Sequence, residues 1–187
     1  RRVFIMEECQ ELLPEYLRFI KGVVDAEDLN LNLSREILQK DRQVQLIRKR
    51  LVKKILDTLK DMKANDLENY KKFWAEFGAV LKEGIYSDPD HQEALLDLVM
   101  TSSTKSTEEL TSLQEYVDRM PSGQEDIYYM TGSNRQAVES SPHLEGFLEK
   151  GHEVLIFTDP VDEVWLQRMP EFGDYKFSSI GKGEVEL

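Results

Sequence analysis

Residues 127–157 read IYYMTGSNRQAVESSPHLEGFLEKGHEVLIF, and the architecture of the last third of the chain follows from how that stretch divides. It opens on IYYMT (127–131) and closes on EVLIF (153–157), two short runs with the length and β-branched or aromatic content of strands. Between them GSNRQAVESS begins a helix, Pro142 interrupts it, residues 143–150 form another, and Gly151 stands where that second helix should stop. A strand, two short helices and a strand make a crossover. The two strands are therefore predicted to be parallel, joined by a right-handed connection.

Working outward, residues 161–169 predict a final helix that leads into a strand at 175–180. On the other side, residues 94–100 predict a helix running into a short strand, TSSTKST (101–107) a polar loop, 108–120 a helix and PSGQED a turn. Residues 91–187 are thus expected to form a small α/β/α subdomain with a short, mostly parallel sheet. Further upstream, Asp66 is the expected cap of a helix carrying Leu67, Tyr70, Trp74, Phe77 and Leu81 on one stripe, with Gly84 as its stop. Before it, Ser34 stands where an N-cap belongs. A long helix is expected from there to about Met62, its apolar stripe formed by Val44, Ile47, Leu51, Ile55, Leu59 and Met62. KDMKAND (60–66) should turn the chain, so that the two amphipathic helices pack antiparallel. Residues 34–90 are read as this hairpin together with the end of the loop before it.

The opening is expected to hold a short buried strand at 3–6, a helix over 13–24 with Pro14 in its first turn, and an exposed loop in DAEDLNLNLS (25–34). Residues 1–33 are read as the end of a first α/β subdomain and the approach to a loop. The fold class is α+β. The chain begins RRVFIM, without a methionine, and is read as a piece of something longer.

Charge is unevenly placed. The net charge is −12, yet residues 34–63 carry 10 basic and 4 acidic side chains. An overall acidic chain argues against general nucleic-acid binding, which needs a basic footprint. No apolar run approaches the roughly 18 residues of a membrane span. The one cysteine, Cys9, cannot form an internal disulfide, which fits a reducing compartment such as the cytoplasm. His91, His143 and His152 lie far apart without a Cys or His at ligand spacing, so no metal site is expected.

Conventional catalytic motifs are missing: there is no phosphate-binding Gly-rich loop ending in Lys-Ser/Thr, no H-E-x-x-H and no G-x-S-x-G. TGSN (131–134) offers backbone N–H groups at a strand-to-helix turn, the pattern of any ordinary connection. Glu7, Glu8 and Glu11 read as a solvated face. LNLSREILQ (31–39) is the best candidate. Arg35 falls in a first helical turn beside an exposed loop, and Gln39, four residues on, shares its face. An arginine and a glutamine so placed suit phosphoryl transfer, one neutralising charge and the other orienting water. On periodicity alone, a solvated surface arginine is the favoured reading.

LNLSREILQ followed by IRKRLVKKI resembles the catalytic loop and next helix of the ninety-kilodalton heat-shock chaperones, the bacterial branch in particular. The likeness extends through FWAEFGAVLKEGIYSD, ELTSLQEYVDRMPSGQEDIYYMTG and SPHLEGFLEKGHEVLIFTDPVDE, in that order along the chain. It implies the later part of a middle domain. Arg35 would then reach the γ-phosphate of ATP, bound with Mg2+ on a separate N-terminal domain, with Gln39 linked to the same step and Asn32 and Ser34 positioning the loop. It also implies a C-terminal dimerisation domain, a homodimer in the full-length protein, and contact with unfolded client proteins. Candidate client contacts are Val164, Trp165, Leu166 and Met169. The family's tryptophan directly follows the Asp-Glu pair, where this chain has Val164. Trp165, one place later, is rotated by about 100 degrees, which leaves both the core and the client surface open to it. The alternative function is a non-catalytic scaffold whose acidic surface binds partner proteins.

Overall fold

The computed structural model describes residues 4–27 and 41–182. The chain divides into two compact units, Arg1–Tyr70 and Lys71–Leu187.

In the first unit, residues 4–27 contain only two single turns of 3₁₀-helix, Gln10–Leu12 and Glu15–Leu17. The buried strand expected at 3–6 is not there: Phe4 and Ile5 are exposed and residues 4–6 are irregular. A strand needs a neighbour to take its backbone N–H and C=O groups, and the described residues provide none. The helix expected over 13–24 also fails. Pro14 is extended, with ψ of 158°, and cannot donate the bond that would join the turns on either side of it. What survives of that amphipathic pattern is Tyr16 and Leu17, both buried.

Helix α1 spans Arg42–Asn65. Its cap is Asp41, an extended residue whose Oδ1 accepts from the N–H groups of Gln43 (2.7 Å) and Val44 (3.2 Å). The helix therefore starts here, and a continuous run from Ser34 is excluded. It continues through KDMKAN to Asn65, and Asp66 alone breaks it from the next helix, α2 (Leu67–Ser87). The buried line of α1 is Val44, Val52, Leu56 and Leu59. Ile47, Leu51, Ile55 and Met62, members of the expected stripe, flank that line and are half-buried.

Helix α2 buries Tyr70, Trp74, Gly78, Leu81, Lys82 and Ile85. Phe77, expected in the core, sits at the margin of that line and is partly exposed. Gly78 is there for space: a Cβ on it would lie 2.7 Å from the Trp74 ring. Gly84 does not stop the helix. Ile85, fully buried, holds the next turn in place. The helix ends at Ser87, because Asp88 precedes Pro89 and is pushed out of the α region.

The second unit continues with α3 (Gln92–Leu98), β1 (Met100–Ser103), β2 (Ser106–Ser112) and α4 (Leu113–Asp118). Then come β3 (Asp126–Thr131), α5 (Arg135–Glu139), α6 (Pro142–Glu149), β4 (Leu155–Phe157), α7 (Pro160–Arg168), β5 (Glu171–Phe172) and β6 (Tyr175–Ser179). The expected polar loop at 101–107 and the start of the expected helix at 108 are instead an antiparallel hairpin, with Met100 opposite Ser112. Helix begins only at Leu113, where Ser112 and Glu115 close a reciprocal capping box.

The sheet has six strands in the order β2-β1-β4-β3-β6-β5. β3 is parallel to both β4 and β6, as the crossover reading requires for β3 and β4. Antiparallel pairings on either side make the whole sheet mixed. Alternation along β3 and β4 assigns its two faces. Met130, Val154 and Ile156 meet Val138 of α5 and Leu144 and Phe147 of α6. On the other face Phe157 and Phe177 pack edge-on to Trp165 of α7, with ring centroids 5.4 and 5.5 Å apart.

Tyr116 ties these layers together. Its hydroxyl donates to the Glu153 carbonyl (2.7 Å) and accepts from Gln124 Nε2 (2.9 Å) and the Tyr128 N–H (3.1 Å). Burial pushes the phenol up to about 12. Tyr116→Phe leaves those three groups without their partner, and should cost roughly 1–3 kcal/mol in urea unfolding. Above its ordinary range near pH 10 the unfolded phenol ionises while the folded one holds its proton. The wild type should therefore lose stability between about pH 10 and 12, a loss absent from Tyr116→Phe.

Candidate functional site

Arg35, Gln39, Asn32 and Ser34 lie outside the described residues, which stop at 27 and resume at 41. The ground on either side of them is described. Glu11, in the first 3₁₀ turn, receives at its backbone carbonyl a 2.9 Å hydrogen bond from Arg48 Nη1 of α1. Gln10, Glu11, Gln45 and Arg48 line a shallow cleft of about 260 Å³ there. The carboxylate of Glu11 faces Cys9 (Sγ to Oε2, 3.6 Å), and burial is the main reason the thiol is pushed up from its ordinary value. Cys9 is thus a poorer thiolate than a free cysteine. Arg42, Lys49, Arg50, Lys53, Lys54 and Lys60 are exposed along α1, with Lys53 paired to Asp57 one turn on. Among the described residues, no three His, Cys, Asp or Glu side chains stand close enough to hold a metal ion, and no helix is long and apolar enough to cross a membrane.

The structure separates the four candidate client contacts of α7. Trp165 is fully buried and Leu166 nearly so, Met169 is half-buried, and Val164 is 45% exposed. Trp165 and Leu166 therefore present no surface to a client in this fold. The indole packs edge-on to Phe157 and Phe177, and its Nε1 donates to Asp162 Oδ1 at 2.8 Å.

Asp162 belongs to a cluster that periodicity alone did not mark as a site. It is 1% exposed, and Lys82 Nζ, 4% exposed, lies 2.6 Å from its Oδ1. The same ammonium reaches Asp159 Oδ2 at 2.8 Å, and Asp162 Oδ2 accepts from the Asp159 N–H. Burial raises the Asp162 carboxyl above its ordinary value, opposed by Lys82 and the indole N–H. One signal was available: Lys82 sits in the middle of the apolar line of α2, where a cation implies a buried counter-charge. The TGSN turn, by contrast, is an ordinary connection. The Gly132 N–H donates to the Phe157 carbonyl and Asn134 Oδ1 caps Ala137.

The sequence model of the family described as Hsp90 protein matches residues 1–187, the whole chain. The chain belongs to the Hsp90 family. Among curated relatives, each named chaperone protein HtpG, that of Nocardia farcinica is 63% identical and that of Rhodococcus jostii 59%. The Mycobacterium tuberculosis protein is 57% identical. Each comparison covers all of this chain and 29% of the relative, so the Hsp90-family segment described here spans under a third of their length. The match runs through residues 31–39 as well as through the buried Lys82–Asp162 pair.

Proposed function

We propose that this chain is the later part of the middle region of an ATP-dependent chaperone, and that it supplies Arg35 to ATP bound on a separate N-terminal domain of the same protein. What supports the reading is the family match over residues 1–187, a span that includes LNLSREILQ, with relatives more than half identical that are named chaperones. ATP with Mg2+ brings the phosphoryl group that is transferred. Arg35 neutralises charge as that group leaves, and Gln39 orients the attacking water, while Asn32 and Ser34 hold the loop. The deciding experiment is ATP turnover by the full-length protein carrying Arg35→Ala or Gln39→Ala, with nucleotide binding measured beside it. Undiminished turnover in both would leave only a scaffold role.

The proposal places the machine in the cytoplasm as a homodimer that acts on unfolded clients. On α7 the client contact narrows to Val164, the exposed member of the four. Val164→Asp should weaken binding of a labelled unfolded protein several-fold. Unchanged affinity would remove α7 from the client surface.

A further inference from the structure

We infer that Lys82, through its buried pairing with Asp162, sets the roll of α7 about its own axis and so decides that Val164 faces out while Leu166 faces in. The roll is a property of the fold. That Val164 then meets a client rests on the reading of α7 given above.

Apolar packing by itself fixes the roll only loosely. Successive residues of a helix are turned by about 100 degrees, which spreads Val161, Val164, Trp165, Leu166 and Met169 over about 200 degrees of the circumference of α7 and its C-terminal cap. A helix lying on a core needs an apolar stripe about 100 degrees wide. In the observed roll Trp165 and Leu166 are buried, Val161 and Met169 are half-buried, and Val164 is exposed. A roll of roughly a quarter turn would bring Val164 in and carry Leu166 out, while Val161 and Trp165 still faced the core. Arg168 would turn inward with Val164, but its stem is long enough to keep the guanidinium in water. Apolar burial is non-directional and discriminates weakly between two such rolls.

Polar bonds are directional, and those that leave the helix can fix its roll. The bond from Trp165 Nε1 to Asp162 Oδ1 lies within α7 and turns with it. Lys82 Nζ, on α2, reaches Asp162 Oδ1 at 2.6 Å and the cap residue Asp159 at 2.8 Å, and so holds the first turn of α7 at two points. A further contact leaving the helix, from Thr131 Oγ1 to Glu163 Oε1, is 3.3 Å long and exposed. Asp162 stands inside the apolar arc, between Met169 and Leu166 around the circumference. The quarter turn would pull it away from Lys82 and leave the ammonium buried beside Asp159 alone. A buried ion pair adds little stability over a well-packed apolar pair, and selecting one arrangement among several is its best-attested use.

The test is hydroxyl-radical footprinting of the full-length protein, read side chain by side chain by mass spectrometry. In Lys82→Met with Asp162→Asn no lone buried charge remains, and the two rolls should approach equal populations. Modification of Val164 should then fall about twofold while that of Leu166 rises several-fold. Trp74 and Tyr116, which lie outside α7, should change little. A merely structural pair predicts something else: loosening would raise Val164, Leu166, Trp74 and Tyr116 together. That outcome overturns the inference, as does a folded double variant whose Val164 and Leu166 react as in the wild type. If the double variant does not fold, Asp162→Asn replaces it, since it cancels the charge that Lys82 tracks and keeps an acceptor for the indole. The same reciprocal change is expected there.

Binding of a labelled unfolded protein adds a second readout. Val164→Asp should weaken binding less in the double variant than in the wild type, because Val164 is then turned inward part of the time. An equal penalty in both backgrounds would contradict the roll. A Val164→Asp change that is silent in the wild type removes the client reading instead, and the footprint alone then decides the roll.

Discussion

Arg35→Ala in the full-length protein is expected to slow ATP hydrolysis by roughly 10²-fold, with nucleotide affinity almost unchanged. The size follows from what the side chain has to do. Removing one preorganised charged donor from a developing oxyanion costs on the order of 10²-fold in kcat, and arginines lent to phosphoryl transfer reach higher. On the proposed reading, in which another domain holds the nucleotide and Arg35 meets it only on the way to the transition state, affinity should survive, the pattern of an interaction not made in the ground state. The isolated chain should show no steady-state turnover of its own. Hydrolysis by the pure chain that Arg35→Ala abolishes would contradict that expectation. Arg35→Lys should recover little, since an ammonium does not reproduce the planar fork.

Lys82→Met should be the most destabilising single change in the described structure, by about 3–5 kcal/mol, because it leaves Asp162 buried and uncompensated. Urea unfolding measures this directly. Two further measurements separate a charge effect from a packing effect. Lys82→Met with Asp162→Asn should recover more than half of the loss, since the double variant no longer buries a lone carboxylate. The penalty should also shrink in acid. Burial already raises the Asp162 carboxyl, and loss of Lys82 raises it further. Stability from a raised carboxyl is fully present below its unfolded pKa and is lost as pH rises through its folded one. The variant's deficit should therefore grow from the ordinary carboxylate range toward neutrality. A pH-independent deficit would indicate lost methylene packing instead.

The sequence was most readable where local chemistry and tertiary context agree. IYYMT and EVLIF are strands because their alternation matches two buried faces, and the breaks at Pro142 and Gly151 are backbone rules that neighbours do not override. It misled where strand pairing or a backbone break overrides local helical propensity. Ser106–Ser112, with its Glu-Glu-Leu centre, has helical propensity and becomes a strand only because Met100–Ser103 lies beside it. Residues 13–24 have helical composition, yet Pro14 divides them. Capping box spacing at Ser112 and Glu115 was present and would have moved the helix start five residues along. Of the candidate site, Arg35 was reached through resemblance, since spacing by itself favoured a solvated arginine. The hydrogen bond of Arg48 and the buried ion pair of Lys82 could not be seen until partners far away in sequence, Glu11 and Asp162, came into contact with them.

The order of the sheet also bears on self-association. An open sheet is a template: its last strand presents a row of unmet N–H and C=O groups to any extended segment that arrives. Here one end is closed by β5, only two residues long, and the other by β2, whose exposed Glu108 and Glu109 and adjoining Lys105 put charge along the margin. Neither rim is long, flat and apolar enough to recruit a foreign strand. The sheet is therefore guarded at both margins against adding a strand from another chain.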